Sequence, residues 1–256
     1  MEIQEFKSLG DFSAWLDSHE PAGYFKGRKC DSQEVGDKAF FGTESWGDAQ
    51  RLLLEGDPDS FKQLEAARVP APRGGGQTAV IKSGPVGFAP NVPAYLAGRP
   101  DSMLRTVHQR GSSPVVDVVW SVSVGGGITA AQVASVANVF FNAITRVEES
   151  GRSIRLYVSD SARVPGEAHA YRCLVKGANE RISCFKLAYC VINPSFLRRH
   201  GFRWLECCGC KSSRFWGYGQ VLPIESLRSA FPGCVVLDYY QCEGLTVDEV
   251  VKKIFG

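Results

Sequence analysis

No apolar run in this 256-residue chain approaches the ~18–20 consecutive residues that a membrane-crossing helix requires. The opening stretch, Met1-Glu2-Ile3-Gln4-Glu5, has neither the basic region nor the apolar region of a secretory signal. These two absences predict a soluble cytoplasmic protein with no membrane partner. The familiar signatures of catalysis are missing as well. Gly74-Gly75-Gly76 is not followed by the Gly-Lys-Ser/Thr that completes a phosphate loop. The Rossmann glycine fingerprint, the Gly-x-Ser-x-Gly elbow and the His-Glu-x-x-His helix do not occur. His19, His108, His169 and His200 stand in no recognisable relation to a serine or cysteine nucleophile. Nothing positive supports an enzyme, so a non-catalytic protein without a resident cofactor is expected. An excess of one charge is lacking too: the net charge of +2 does not mark the whole chain as a nucleic-acid binder, and any such surface must be local.

What is present is the composition of a folded protein. With 44% hydrophobic and 22% charged residues, disorder is excluded along most of the length. Nine cysteines, an odd number with no signal peptide, fit a reducing compartment. The chain is organised around Val115 to Val158. A dense apolar run through Trp120 breaks at Gly125-Gly126-Gly127, an amphipathic stretch follows from Thr129 to Glu149, and Ser153 to Val158 is a second β-branched run. The order strand, glycine turn, helix, strand predicts a βαβ unit with parallel strands. Thr129 and Gln132 form a capping box, and Val133, Val136, Ala137, Phe140, Ile144 and Val147 make one apolar stripe. Gly151 is placed for the left-handed stop, while Glu148 and Glu149 oppose the helix dipole and predict fraying there.

Three regions are expected. Residues 1–68 read as mainly helical, with Trp15 and Trp46 as packing anchors. Residues 69–110 read as a Pro/Gly-rich linker and wrapping loop, because four prolines and three glycines between Gly84 and Pro100 forbid a regular helix or central strand. Residues 111–256 alternate strand and helix, which predicts a three-layer α/β domain with a mostly parallel sheet. Within it, Ser159 to Gly166 reads as a loop, 202–207 as a strand and 234–240 as a strongly apolar strand. Thr246 and Glu249 supply a second capping box for a terminal helix.

Phe41-Gly42-Thr43-Glu44-Ser45-Trp46, the block from Asn91 to Met103 and the βαβ unit together resemble an uncharacterised phage- and prophage-borne family, over residues from about 40 to the end. That family brings no established activity; it implies the host cytoplasm. The βαβ unit also resembles the opening of a von Willebrand factor A-type (Rossmann-like) domain, whose first strand ends in Asp-x-Ser-x-Ser and helps hold a divalent metal. Here the matching positions are Val119-Trp120-Ser121-Val122-Ser123, with the carboxylate replaced. The resemblance implies a partner-binding or degenerate metal edge built from Ser121 and Ser123, to which Asp160 and Asp238 at later strand ends would contribute.

Two further clusters draw attention. Phe196 to Tyr218 carries Arg198, Arg199, Arg203, Lys211 and Arg214 against a single acidic residue, Glu206, with Trp204 and Trp216 among interleaved aromatics. Cations that follow a phosphate backbone beside rings that stack on bases are what single-strand binding needs. The plainer reading is a strand with one core face and one solvated basic face. Cys207 and Cys210 have the Cys-x-x-Cys spacing of a zinc half-site, with Cys234 and Cys242 as distant partners; the competing reading is a set of buried free thiols. The leading expectation is an accessory protein that binds single-stranded nucleic acid, or a phage or host complex that handles it. The alternatives are a protein-interaction module, with or without a divalent ion, and an enzyme with a cysteine-based metal or redox site.

Overall fold

The computed structural model describes residues 1–66, 77–110, 115–178, 180–211, 218 and 220–256. Its centre is a five-stranded sheet in the order β1-β7-β6-β5-β8, made of β1 (Glu2–Phe6), β5 (Val116–Ser121), β6 (Ile154–Val164), β7 (Glu167–Lys176) and β8 (Val235–Leu237). β5 pairs in parallel with β6 and with β8, and β1 pairs in parallel with β7; only the β6–β7 hairpin is antiparallel. The fold is thus mixed α/β with a mostly parallel sheet. The parallel β5–β6 pair is joined by a long helix, as the strand-helix-strand pattern requires.

The helices are α1 (Leu9–Ser18), α2 (Lys38–Phe41), α3 (Trp46–Glu55), α4 (Pro58–Ala66), α5 (Val92–Leu96), α6 (Ala130–Glu149), α7 (Cys184–Ile192), α8 (Phe202–Cys207), α9 (Ile224–Ala230), α10 (Tyr239–Cys242) and α11 (Val247–Phe255). Both capping boxes form, Thr129 with Gln132 on α6 and Thr246 with Glu249 on α11. Gly151 takes its left-handed stop at φ 79°. The acidic end of α6 is not left uncompensated. Buried Lys176 on β7 places its ammonium 2.7 Å from Glu148 and donates to the Ile154 carbonyl at 2.9 Å, which fastens the helix end to the sheet.

Strand alternation sends residues to two unequal covers. Val118, Trp120, Leu156 and Val158 join the main core with residues of α1, α6, α7, α8 and α11. Trp120 stacks on Phe140 of α6 at 4.2 Å, and burying a ring of that size contributes about 2–3 kcal/mol. Val119, Ala170 and Val236 point the other way, to Leu222, Leu227 and Phe231 around α9. Phe6, Leu9, Phe12, Leu16, Leu53 and Leu64 sit in the main core, so the N-terminal helices and the sheet share one apolar interior. Residues 77–110 form a small antiparallel sheet, β2 (Gln77–Gly84), β4 (Met103–Arg110) and β3 (Ala89–Pro90) in the order β2-β4-β3, with α5 between β3 and β4.

Five local expectations are corrected. Val92 to Leu96 is a short helix inside the stretch expected to hold none, because Pro93 falls in its first turn, where a missing N–H costs nothing. Residues 2–6 form an edge strand rather than helix, because β7 offers them an unpaired edge. Asp160 lies within β6, which runs on to Val164 and turns at Gly166 (φ 85°), rather than in a loop. The 234–240 run is strand only to Leu237, since the Asp238 side chain caps α10. Residues 202–207 are helix, not strand. They continue a π-helical turn, Phe196–Gly201, and five of the six are buried, so no alternation distinguishes the two periods.

Candidate functional site

β5 ends at Ser121, opposite Ser159, whereas β6 continues for five more residues. Past that point β6 no longer pairs with β5: the Ser123 side chain meets the Ser161 amide, and Gln220 bridges Arg163 two residues further on. The Ser123 hydroxyl accepts from the Ser161 amide at 3.0 Å and donates to Asp160 Oδ1 at 2.6 Å, with Ser121 Oγ 3.4 Å away. The same Ser161 amide also donates to Asp160 Oδ1 at 2.8 Å. Asp160 is therefore buried at the carboxyl edge of the sheet. Burial pushes its pKa up to about 6, against the opposing pull of the Ser123 hydroxyl and the Ser161 amide.

The π-helical turn closes over this carboxylate. A Cβ at Gly201 would lie 2.3 Å from Asp160 Oδ2, so only glycine permits the approach. Between the turn and the strand ends is a cavity of about 230 Å3, lined by Ser123, Gly125, Asp160, Ser161, Arg198, Phe202 and Tyr218 among others. Phe202 and Tyr218 stack at 3.7 Å with an interplanar angle of 4°. The Arg198 guanidinium lies 4.1 Å over the Phe40 ring and donates to the Phe40 carbonyl at 2.6 Å. The cavity thus combines buried acceptors, one cation and an aromatic wall at the strand carboxyl ends, where ligands of open α/β sheets bind.

The structure divides the expected basic surface. Arg198 reaches the cavity. Arg199 does not: it is fully buried and donates to Ser32 O, Glu34 O, Thr43 O and Thr43 Oγ1 at 2.8–3.0 Å. Arg203 is buried with Nη2 on the His19 carbonyl at 2.8 Å, and Trp204 is buried with its indole N–H on Gln4 Oε1 at 2.9 Å. These three side chains are spent on packing and cannot meet a nucleic acid. Glu206, the lone acidic residue, is likewise buried and accepts from Ser32 and from the Tyr218 hydroxyl. Lys211 is exposed, while Arg214 and Trp216 lie outside the described residues.

The expected metal edge and cysteine set are also not assembled. Val119 stands in the place of the missing carboxylate and is fully buried in the smaller core. Ser123 is committed to Asp160, and Asp238, whose pKa burial raises, accepts from the Gln241 amide at 2.7 Å. A hard divalent cation needs several oxygen donors including charged ones, so this set does not fit one. Cys207 packs its thiol on the His19 carbonyl at 3.3 Å, Cys234 lies 3.5 Å from Arg172, and Cys242 is in the main core. Among the described residues, no group of three metal-ligating side chains contains any two of these cysteines.

Phe202 and Tyr218 belong to the aromatics interleaved in 196–218, whereas Gly201 and Phe40 are cavity residues that the sequence did not single out. Phe40 precedes a recognised block, but no local pattern places it 158 residues from its Arg198 partner. No helix among the described residues is long and apolar enough to cross a membrane. No curated protein and no solved structure matches the chain. The family model of a domain of unknown function, DUF7192, matches residues 2–256, which is nearly the whole length. The chain belongs to the DUF7192 family.

Proposed function

We propose that this protein is a non-catalytic accessory module, in the phage or prophage setting its sequence resemblance implies, and that it takes one nucleotide unit of a single-stranded nucleic acid into the carboxyl-edge cavity. The observation that carries this reading is the convergence of Asp160, Ser123 and Ser161 with Arg198 and the Phe202–Tyr218 stack around about 230 Å3. That volume is below the roughly 300–1,000 Å3 of sites for drug-sized ligands, and suits a single planar unit. The carboxylate matches an amino group of a base, Arg198 matches a phosphate, and rings accept stacking by any base.

The test is binding of labelled single- and double-stranded oligonucleotides across a salt series. Single strands are expected to bind better, with affinity falling as salt rises. Arg198→Ala should lower affinity and flatten the salt slope by about one ion. Equal binding of duplex, or binding indifferent to salt, overturns the reading.

A second reading is a protein-interaction module of von Willebrand factor A-like type. It is favoured by the β5-α6-β6 unit, with Ser121 and Ser123 at the end of its first strand beside Asp160. Failure to bind any oligonucleotide at low salt, with capture of a host or phage protein that Ser121→Ala weakens, would replace the first reading by this one.

A further inference from the structure

At the start of β7, Glu167 and His169 are two residues apart and so share one face of the strand. Cys210, which follows α8, is brought to the same place. One ligand atom from each of the three residues lies within 4.8 Å of the other two, and Glu167 Oε2 is 3.0 Å from His169 Nε2. Four-coordinate zinc with bonds of 2.0–2.3 Å requires ligand atoms roughly 3.3–3.8 Å apart, so small side-chain movements would close the trio around an ion.

The surroundings hold each ligand in position. Cys210 follows Gly209 at φ 86°, and its carbonyl accepts from the Tyr24 amide at 2.7 Å. Gly23 faces that carbonyl at a distance where a Cβ would come within 2.0 Å, so the loop is seated against bare backbone. The next residue, Lys211, donates its amide to both carboxylate oxygens of Glu167 at 3.1–3.2 Å. On the far side of the imidazole, Glu2 Oε2 of β1 is 3.6 Å from His169 Nδ1. A carboxylate behind a histidine and a backbone amide on a carboxylate are the outer contacts that orient zinc ligands.

We propose that Glu167, His169 and Cys210 form a zinc site, with Nε2 of His169 on the ion, Glu2 behind the ring and a fourth position open to water. One oxygen, one nitrogen and one sulfur donor suit zinc and not magnesium or calcium, which take oxygen sets. The site joins the edge strand β1, the β6–β7 hairpin and the 207–211 turn. It uses Cys210 without Cys207, and it is independent of the nucleotide reading.

Full-length protein would be stripped with chelator, reloaded with zinc and analysed for metal after desalting; cobalt loading would be followed by absorption. The expected result is one zinc per chain and a thiolate-to-cobalt charge-transfer band. Cys210→Ser should lose the band, and Cys207→Ser should keep both band and zinc. Glu2→Gln, at an exposed position that leaves the fold intact, should weaken zinc affinity about 10–100-fold. Wild-type protein that retains no zinc, or a charge-transfer band that persists in Cys210→Ser and vanishes in Cys207→Ser, overturns the site.

Discussion

Two buried residues titrate in opposite directions, and the sign of each follows from its charge. Asp160 has its pKa raised from 3.8 to about 6 by burial. The folded chain therefore binds the extra proton between those values. Its contribution to stability is fully present below pH 3.8 and is lost as pH rises through about 6. His200 is held neutral, with Nδ1 3.2 Å from the Tyr189 hydroxyl and Nε2 3.1 Å from Gln50 Oε1. Burial lowers its pKa from 6.5 to about 3, so its contribution is present above 6.5 and is lost as pH falls. Between about pH 4 and 6 each slope is about 1.4 kcal/mol per pH unit, and the two oppose each other. Asp160→Asn should accordingly lose stability more steeply on acidification than the wild type in that window. His200→Asn should do the reverse. Urea unfolding at pH 4–8 checks both, and an Asp160→Asn profile parallel to the wild type would refute the burial assigned to this carboxylate.

At the scale of elements, the π-helical turn Phe196–Gly201 is the piece that shapes the site. Its wider backbone places Arg199 and His200 inside while Arg198 stays at the cavity mouth. Such turns recur at functional sites. Gly201 is its contact point with β6. Gly201→Ala would drive a methyl group into Asp160 Oδ2 and should cost about 1–3 kcal/mol by overpacking. The double variant with Asp160→Ala should recover most of that loss, because the collision partner is gone. A chemical-denaturation double-mutant cycle reads the coupling, and additive losses would show that the turn does not bear on Asp160.

For the whole molecule, Arg199 acts as a tie between distant segments. Its four hydrogen bonds connect the main core to residues 32, 34 and 43, a stretch whose own helical turns are short. Arg199→Ala would strand three buried or half-buried carbonyls and should cost at least about 3 kcal/mol. Arg199→Lys should restore little, because an ammonium cannot spread its donors across that fork. Urea midpoints give the magnitude. Limited proteolysis gives the location: new cleavage should appear within 26–44, and cleavage unchanged there would remove this role from Arg199.

Local rules were sufficient wherever the deciding contacts are three or four residues apart. The capping boxes at Thr129 and Thr246, the stop at Gly151 and the apolar stripe of α6 are read directly from spacing, because both partners of each interaction lie within one turn. The parallel pairing of β5 and β6 was legible for a related reason: a helix of that length between two apolar runs leaves little choice of connection. The site was legible only in part. Ser121, Ser123, Asp160 and Arg198 were recognisable as candidates, yet nothing local said that Ser123 would bond a carboxylate 37 residues away. Nor did the basic run of 196–218 show which of its cations face water. Arg199 is buried because carbonyls more than 150 residues earlier in the chain supply acceptors for it, and the helix at 202–207 shows no one-sided pattern because five of its six residues are buried. The chemistry of each side chain was set by the sequence alone; its exposure, and so its use, was decided by partners that only tertiary packing brings near.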